Sequence, residues 1–322
     1  MVDQSDFRQL LLAKIKAHGG WTNAHAHFDR AYSVTPKLLS QAHALMEQKW
    51  TLVDAMKRSS SEEMYASRIE KAVKRMIAQG VSACATFIDV DPVTEHRALK
   101  AAVYVKKKYE KKIRLLLVNQ VLKGILDPVA RQWAQKALPY VDIIGGLPSR
   151  DRPNDEKHLA VLFSWAKETG KRVHVHIDQE NSPKEHDTMM LARKTIQWGL
   201  EGKVVAVHSI SLAAQPKHVR KETYTVMKAA GLSVIVCPSA ALSMKPVAGR
   251  SEIHNSIGPV VELLEAGIPV ALGTDNIADV YQPLVDGDMY TELRFLAEAN
   301  RFYDIDALTT VASISGRKVL GI

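Results

Sequence analysis

Short apolar runs alternate with longer amphipathic stretches along most of the chain. Five times a helix-like stretch ends in glycine and an apolar run follows. The glycines are Gly80, Gly170, Gly202, Gly231 and Gly267, and the runs are 81–90, 172–178, 204–210, 232–239 and 268–274. Glycine ends helices at little cost because it adopts the left-handed conformation. Apolar runs of this length without strict alternation suit parallel strands covered on both faces. Three more runs, 21–28, 113–121 and 141–147, keep the rhythm without the glycine. Between the runs, 62–77, 156–167, 188–198, 217–229 and 259–264 carry apolar residues at helical spacing, the first behind a Ser60/Ser61 cap.

Eight strands alternating with helices predict a (β/α)8 TIM-type barrel of the α/β class. The runner-up is an open doubly wound sheet. That class places a glycine-rich phosphate turn after its first strand, and none follows Phe28. The whole of 1–322 reads as one domain, with 1–20 as an N-terminal helical extension.

A barrel directs the C-terminal ends of its strands to one mouth. The polar residues gather at those ends. Strand one offers His25 and His27, which two-residue alternation places on one side. Strand five offers His174, His176, Asp178 and Gln179; strand six offers His208; strand eight offers Asp275 and Asn276. Imidazoles plus a carboxylate around an open position form a hydrolytic metal arrangement. His174 lies one layer below His176 and reads as a supporting or packed histidine. His18, His43, His96, His158, His186, His218 and His254 lack such placement and read as surface or loop residues.

The remaining bulk features narrow the class. Of the 322 residues, 46% are hydrophobic and 24% charged, which fits a globular chain with a substantial core. The net charge of +8 raises the question of nucleic acid. Its densest basic run, Lys106 to Lys112, falls at a helix end, where cations complement the dipole, and so reads as a solvated terminus. Neither a nucleic-acid partner nor a membrane is expected. Cys84 and Cys237 have no C-x-x-C partner and sit in apolar runs, so they read as buried thiols in a reducing, cytoplasmic setting. A small-molecule substrate is the expected partner, and a homo-oligomer is compatible.

The segments H-A-H-F-D-R from His25, V-H-I-D from Val175, A-V-H-S from Ala206 and L-G-T-D-N from Leu272 resemble the amidohydrolase superfamily. The likeness runs from His25 to Gly321 and points to the branch of cytosine deaminase and N-isopropylammelide hydrolase. It implies one divalent metal, zinc or iron, held by His25, His27, His176 and Asp275. It also implies that His208 contacts the metal-activated water or the substrate oxygen. Strand four ends Gly145-Gly146-Leu147-Pro148, without the lysine that holds a second metal in some relatives, so a single metal is expected.

The implied reaction is hydrolysis of a C–N bond, as in a deaminase or aminohydrolase, on a small planar nitrogenous substrate. Asp275 would take the water's proton. The glutamate that serves ring protonation in the branch is replaced by Gln179, with Glu180 next to it and Asp178 and His174 as further candidates. A glutamine amide cannot act as acid or base. Arg30, Gln120, Asn276, Asp279 and Tyr281, beside Gln179, are the expected substrate contacts. The chain is shorter at both ends than most of the family, so a barrel without the accessory β-sandwich is expected. Two alternatives remain open: hydrolysis of a C–O or carbamate bond, and a catalytically silent ligand-binding barrel.

Overall fold

A computed structural model describes residues 6–252, 255 and 257–322. Eight parallel strands form one sheet in chain order: β1 Trp21–Ala26, β2 Val81–Asp89, β3 Arg114–Gln120, β4 Ile143–Gly146, β5 Arg172–Ile177, β6 Val204–His208, β7 Ser233–Val236 and β8 Val270–Leu272. Every predicted run contains its strand. The sheet closes just beyond β8. Asp275 N–H donates to His25 O at 3.0 Å, and His27 N–H donates to Asp275 O at 3.3 Å. Asn23 extends the seam with its side chain, accepting from Thr274 N–H at 3.1 Å and donating to Thr274 Oγ1 at 2.9 Å. The fold is a (β/α)8 barrel.

Gly273 makes that seam possible. A Cβ there would lie 2.8 Å from both the Cβ and the carbonyl oxygen of His25. Only glycine lets β8 approach β1 closely enough to bring Asp275 beside the first histidines.

The helices lie where apolar periodicity placed them. Ser61 caps Glu62–Ala78 by accepting from Met64 N–H. Helix Asp155–Thr169 ends on Gly170 at φ 72°. All five repeat glycines adopt positive φ. Outward strand residues such as Leu117, Val175 and Val234 pack with helix residues in the main core. Inward residues form two smaller clusters, one of them with Phe87, Val118 and Leu320 and the other with Val207 and Val319. The C-terminal helix Ile314–Leu320 thereby supplies residues to both interior clusters.

The lysine run ends helix Arg97–Tyr109. Lys106 pairs with Asp142, Lys107 with Glu110 and Lys108 with Glu70. Three of the five lysines are thus paired, at a helix end as their position implied. Cys84 and Cys237 are buried free thiols. No helix among the described residues is long and apolar enough to cross a membrane.

Two features depart from the pattern. Between β1 and Glu62 the chain forms helix Met46–Ser59, which the strand–helix rhythm does not announce. His158 is not a surface or loop residue but is 1% exposed. Its Nδ1 lies 2.6 Å from Asp151 Oδ2, and its Nε2 accepts from Leu147 N–H at 3.2 Å. Helix Asp155–Thr169 turns it onto the loop after β4, where these two partners offset the cost of burying an imidazole. His254 lies outside the described residues.

Candidate active site

The strand ends bring the sequence-marked histidines together. The His25 ring centroid lies 4.9 Å from that of His27, 4.8 Å from His176 and 5.5 Å from His208. Asp275 Oδ1 is 3.1 Å from His27 Nε2 and 3.5 Å from His25 Nε2, while its Oδ2 is 3.8 Å from His208 Nε2. All five side chains are buried or nearly so.

Local backbone geometry does part of this aiming. His208 and Asp275 adopt positive φ, 79° and 59°. Such strain in non-glycine residues persists only where the surroundings over-determine it. The β1 pair does not converge by simple alternation. Pairing of β1 with β2 shifts register between Asn23 and Ala26, and the strand ends at Ala26. His27 therefore stands on the first residue past the strand. Phe87 from β2 packs between the rings, 4.8 Å from His25 and 4.6 Å from His176.

Charge states follow from burial and from neighbours. Burial holds the His27 pKa well below its ordinary value, and Arg30 adds to this against the pull of Asp275. Burial and the adjacent histidines do the same to His176. Burial lowers His208 to about 4. Burial opposes ionisation of Asp275, but His25 and His27 outweigh it and keep the carboxyl well below its usual range. At neutral pH His27, His176 and His208 are therefore neutral imidazoles beside a carboxylate, the forms that bind a cation.

The donor set fits a divalent metal. His25 Nδ1 and Nε2, His27 Nδ1 and His176 Nε2 are buried with no hydrogen-bond partner in the chain. Nitrogens of His25, His176 and His208 lie within 4.8 Å of one another. His176 Nδ1 is 3.1 Å from Gly146 O. That contact fixes the ring and leaves Nε2 for a metal, the usual support of a ligating histidine. The Gly145-Gly146 end of β4 offers no further ligand. His174, directly beneath, is fully buried with neither ring nitrogen hydrogen-bonded, and burial lowers its pKa to about 3.

The cavity above this set is also lined by Arg30, Gln120, Gln179, Asn276 and Tyr281. Arg30 organises that wall. Its Nε donates to Asn276 Oδ1 at 2.9 Å, and Nη1 lies 3.4 Å from Gln120 Oε1 and from Asp89 Oδ2. Its guanidinium sits 5.2 Å from the Tyr281 ring centroid. Two expected residues stand elsewhere. Asp279 lies behind Arg30, 3.4 Å from its Nε, and accepts from Tyr281 and Gln282 N–H groups, so it supports the loop. Glu180 is turned away from the cavity into ion pairs with Arg152 and Arg250, at 2.9 and 3.0 Å. Asp178, the other carboxylate considered there, is buried and accepts from Asp187 N–H and from Thr188.

Sequence reasoning passed over three contributors. Helix Met46–Ser59 lends Met46, Lys49 and Trp50 to the cavity. Their helical spacing was the available signal, but no strand end marks them. Cys237, past β7, brings its sulfur within 4.8 Å of ligand atoms of His25 and Asp275. Glu292 on helix Met289–Asn300 is 1% exposed and accepts from Ser239 N–H at 2.9 Å.

Burial pushes Glu292 up to about 8, with Asp275 adding to the effect against the Ser239 hydrogen bonds. The folded chain then binds more protons than the unfolded chain between the ordinary glutamate value and about 8. Stability falls as pH rises through that window. Glu292→Gln keeps the accepting oxygen and removes the ionisation. It is expected to match the parent at pH 4 and to exceed it by roughly 2–5 kcal/mol at pH 8. Calorimetry at the two pH values checks this, and equal stabilities at pH 8 would contradict it.

Barrel, strand-end histidines and closing aspartate together define an amidohydrolase-type centre. The chain belongs to the amidohydrolase family, whose model matches residues 19–322. It is 40% identical over 262 residues to an uncharacterized protein of Haemophilus influenzae, spanning 80% of this chain and 95% of that one. It is 27% identical to N-isopropylammelide isopropyl amidohydrolase of Pseudomonas sp. (strain ADP), over 94% of this chain and 74% of the relative. In fold it is similar to 5-methylcytosine deaminase from Klebsiella pneumoniae liganded with phosphonocytosine. The TM-score is 0.86 at 22% identity, covering 94% of this chain and 75% of the other.

Proposed function

We propose that this chain is a mononuclear metal-dependent hydrolase built as one barrel domain; of the helical extension expected over 1–20, Phe7–Ala17 is a helix and residues 1–5 lie outside the described residues. The hydrolase cleaves a C–N bond of a small planar nitrogenous molecule, in the manner of a deaminase or aminohydrolase. The observation that carries this is the convergence of His25, His27, His176, His208 and Asp275 with buried, unpartnered ring nitrogens. The names of the relatives, an amidohydrolase and a cytosine-type deaminase, support the bond class.

His25, His27, His176 and Asp275 would hold one divalent ion, zinc or iron. When bound, that ion supplies Lewis acidity that makes water nucleophilic at neutral pH. Asp275 is the single carboxylate lining the cavity among the described residues. Kept ionised by its histidines, it accepts the water's proton and returns it to the departing nitrogen, the role of a positioned general acid–base. His208, neutral at working pH, hydrogen-bonds the oxygen on which negative charge develops. Gln179 orients the substrate through its amide, and Arg30, Gln120, Asn276 and Tyr281 form the wall that receives the ring.

Gln179 also supports a second reading, hydrolysis of a C–O or carbamate bond, in which no ring nitrogen needs a proton. Paired amide and ester substrates separate the two readings. The metal assignment is tested by elemental analysis of the purified protein. About one divalent metal per chain is expected, and His25→Ala should weaken retention at least ~10-fold. Unchanged metal content in that variant would refute the site.

A further inference from the structure

The cavity holds a charge that the proposed hydrolysis leaves unused. Lys49, on helix Met46–Ser59, lines the cavity and is 6% exposed. Its Nζ is 3.5 Å from Tyr281 O and 5.9 Å from the Tyr281 ring centroid. No described carboxylate lies within ion-pair distance of it, and Asp279 acts on it only from farther away. Lys245 lines the same cavity, exposed, and likewise forms no ion pair among the described residues.

The other charges there are already matched. Arg30 faces Asp89 and Asp279. Asp275 is engaged by its histidines. A largely buried ammonium without a counterion is unfavourable, and an anion placed beside it restores the balance. Burial lowers the Lys49 pKa, the response of a cation held without a partner. The walls beside it are flat: Trp50 is clamped under Arg150 at 4.1 Å, and Tyr281 stands beneath Arg30.

We propose that Lys49, aided by Lys245, is an anion subsite, and that the substrate is a planar nitrogenous ring bearing a carboxylate away from the scissile C–N bond. This deepens the reading of the cavity as a C–N hydrolase site and rests on it for the identity of the reacting bond. The anion preference itself is a property of binding and is measured without turnover.

The test is calorimetric titration of the metal-loaded protein with pyrimidine-5-carboxylate and with pyrimidine-5-carboxamide. These rings match in shape and differ in charge. The acid is expected to bind at least ~10-fold more tightly than the amide, because a site built around a charge rejects the analogue that lacks it. Lys49→Met should abolish that preference by weakening acid binding, with metal content unchanged. Lys49→Arg should retain most of it, and Lys245→Met should lower it in part. Equal binding of the two rings, including binding of neither, overturns the proposal. So does an acid preference that survives Lys49→Met, because the carboxylate is then held by another group. Loss of the C–N reading has a separate signature: no amine released from any nitrogenous ring while the acid preference persists.

Discussion

Asp275→Asn is expected to lower kcat/KM for amine release by about 10^3-fold or more, at least ~4 kcal/mol of transition-state stabilisation. Three observations converge on this side chain. Asp275 is the single carboxylate on the cavity wall among the described residues. It lies within 3.1–3.8 Å of His27, His25 and His208. Its companions, Gln179 by chemistry and Glu180 by its ion pairs, cannot take over proton transfer. Asparagine keeps the shape and one accepting oxygen but cannot carry a proton. The loss should therefore fall mainly on kcat, with KM changed by less than about 10-fold. Steady-state kinetics on any substrate that releases amine provides the measurement. Turnover within ~10-fold of the parent would remove Asp275 from the proton path and favour a different carrier.

Lys57→Met is expected to destabilise the fold by about 3–5 kcal/mol, because it strands buried carboxylates. Lys57 is fully buried. Its ammonium lies 2.7 Å from Asp91 Oδ2 and 2.9 Å from Asp89 Oδ2. Asp89 also faces Arg30, so the network joins helix Met46–Ser59 to the cavity wall. Asp29 is part of the same group. Its Oδ2 accepts from Asp89 N–H, and burial raises it to about 6, with Asp89 adding to the rise and Arg30 opposing it. Methionine has nearly the right length and no charge, so the loss measured is electrostatic rather than a cavity. Thermal unfolding should show Tm lower by about 4–7 °C. A change under about 1 °C would mean that the carboxylates find other partners.

The histidine–aspartate set is legible because barrel geometry turns a one-dimensional rule into a place. His25, His176 and His208 lie near the C-terminal ends of apolar runs and Asp275 just past one, and parallel strands carry all such residues to one mouth. The wall of the cavity is less legible. Arg30 and Gln120 could be named from their positions at or just past strand ends. Lys49 and Trp50 could not, since they come from a helix that interrupts the strand–helix rhythm. Lys57 and His158 follow the same rule. A lysine or histidine on a helix reads as exposed until its partners, Asp89 and Asp91 or Asp151, are seen beside it.

The sequence by itself determined the barrel, the strand order and the histidine–aspartate set, because these depend on local periodicity and on a closed parallel topology. Only the tertiary structure decided which carboxylates face the cavity. Glu180 and Gln179 are neighbours in the chain, yet one is drawn outward by Arg152 and Arg250 while the other lines the cavity. Loop direction past a strand end is set by partners distant in sequence, and no period records it. The same reason applies to Lys49. Its burial without a counterion arises from packing helix Met46–Ser59 against the loop that carries Tyr281, a contact between residues 232 positions apart.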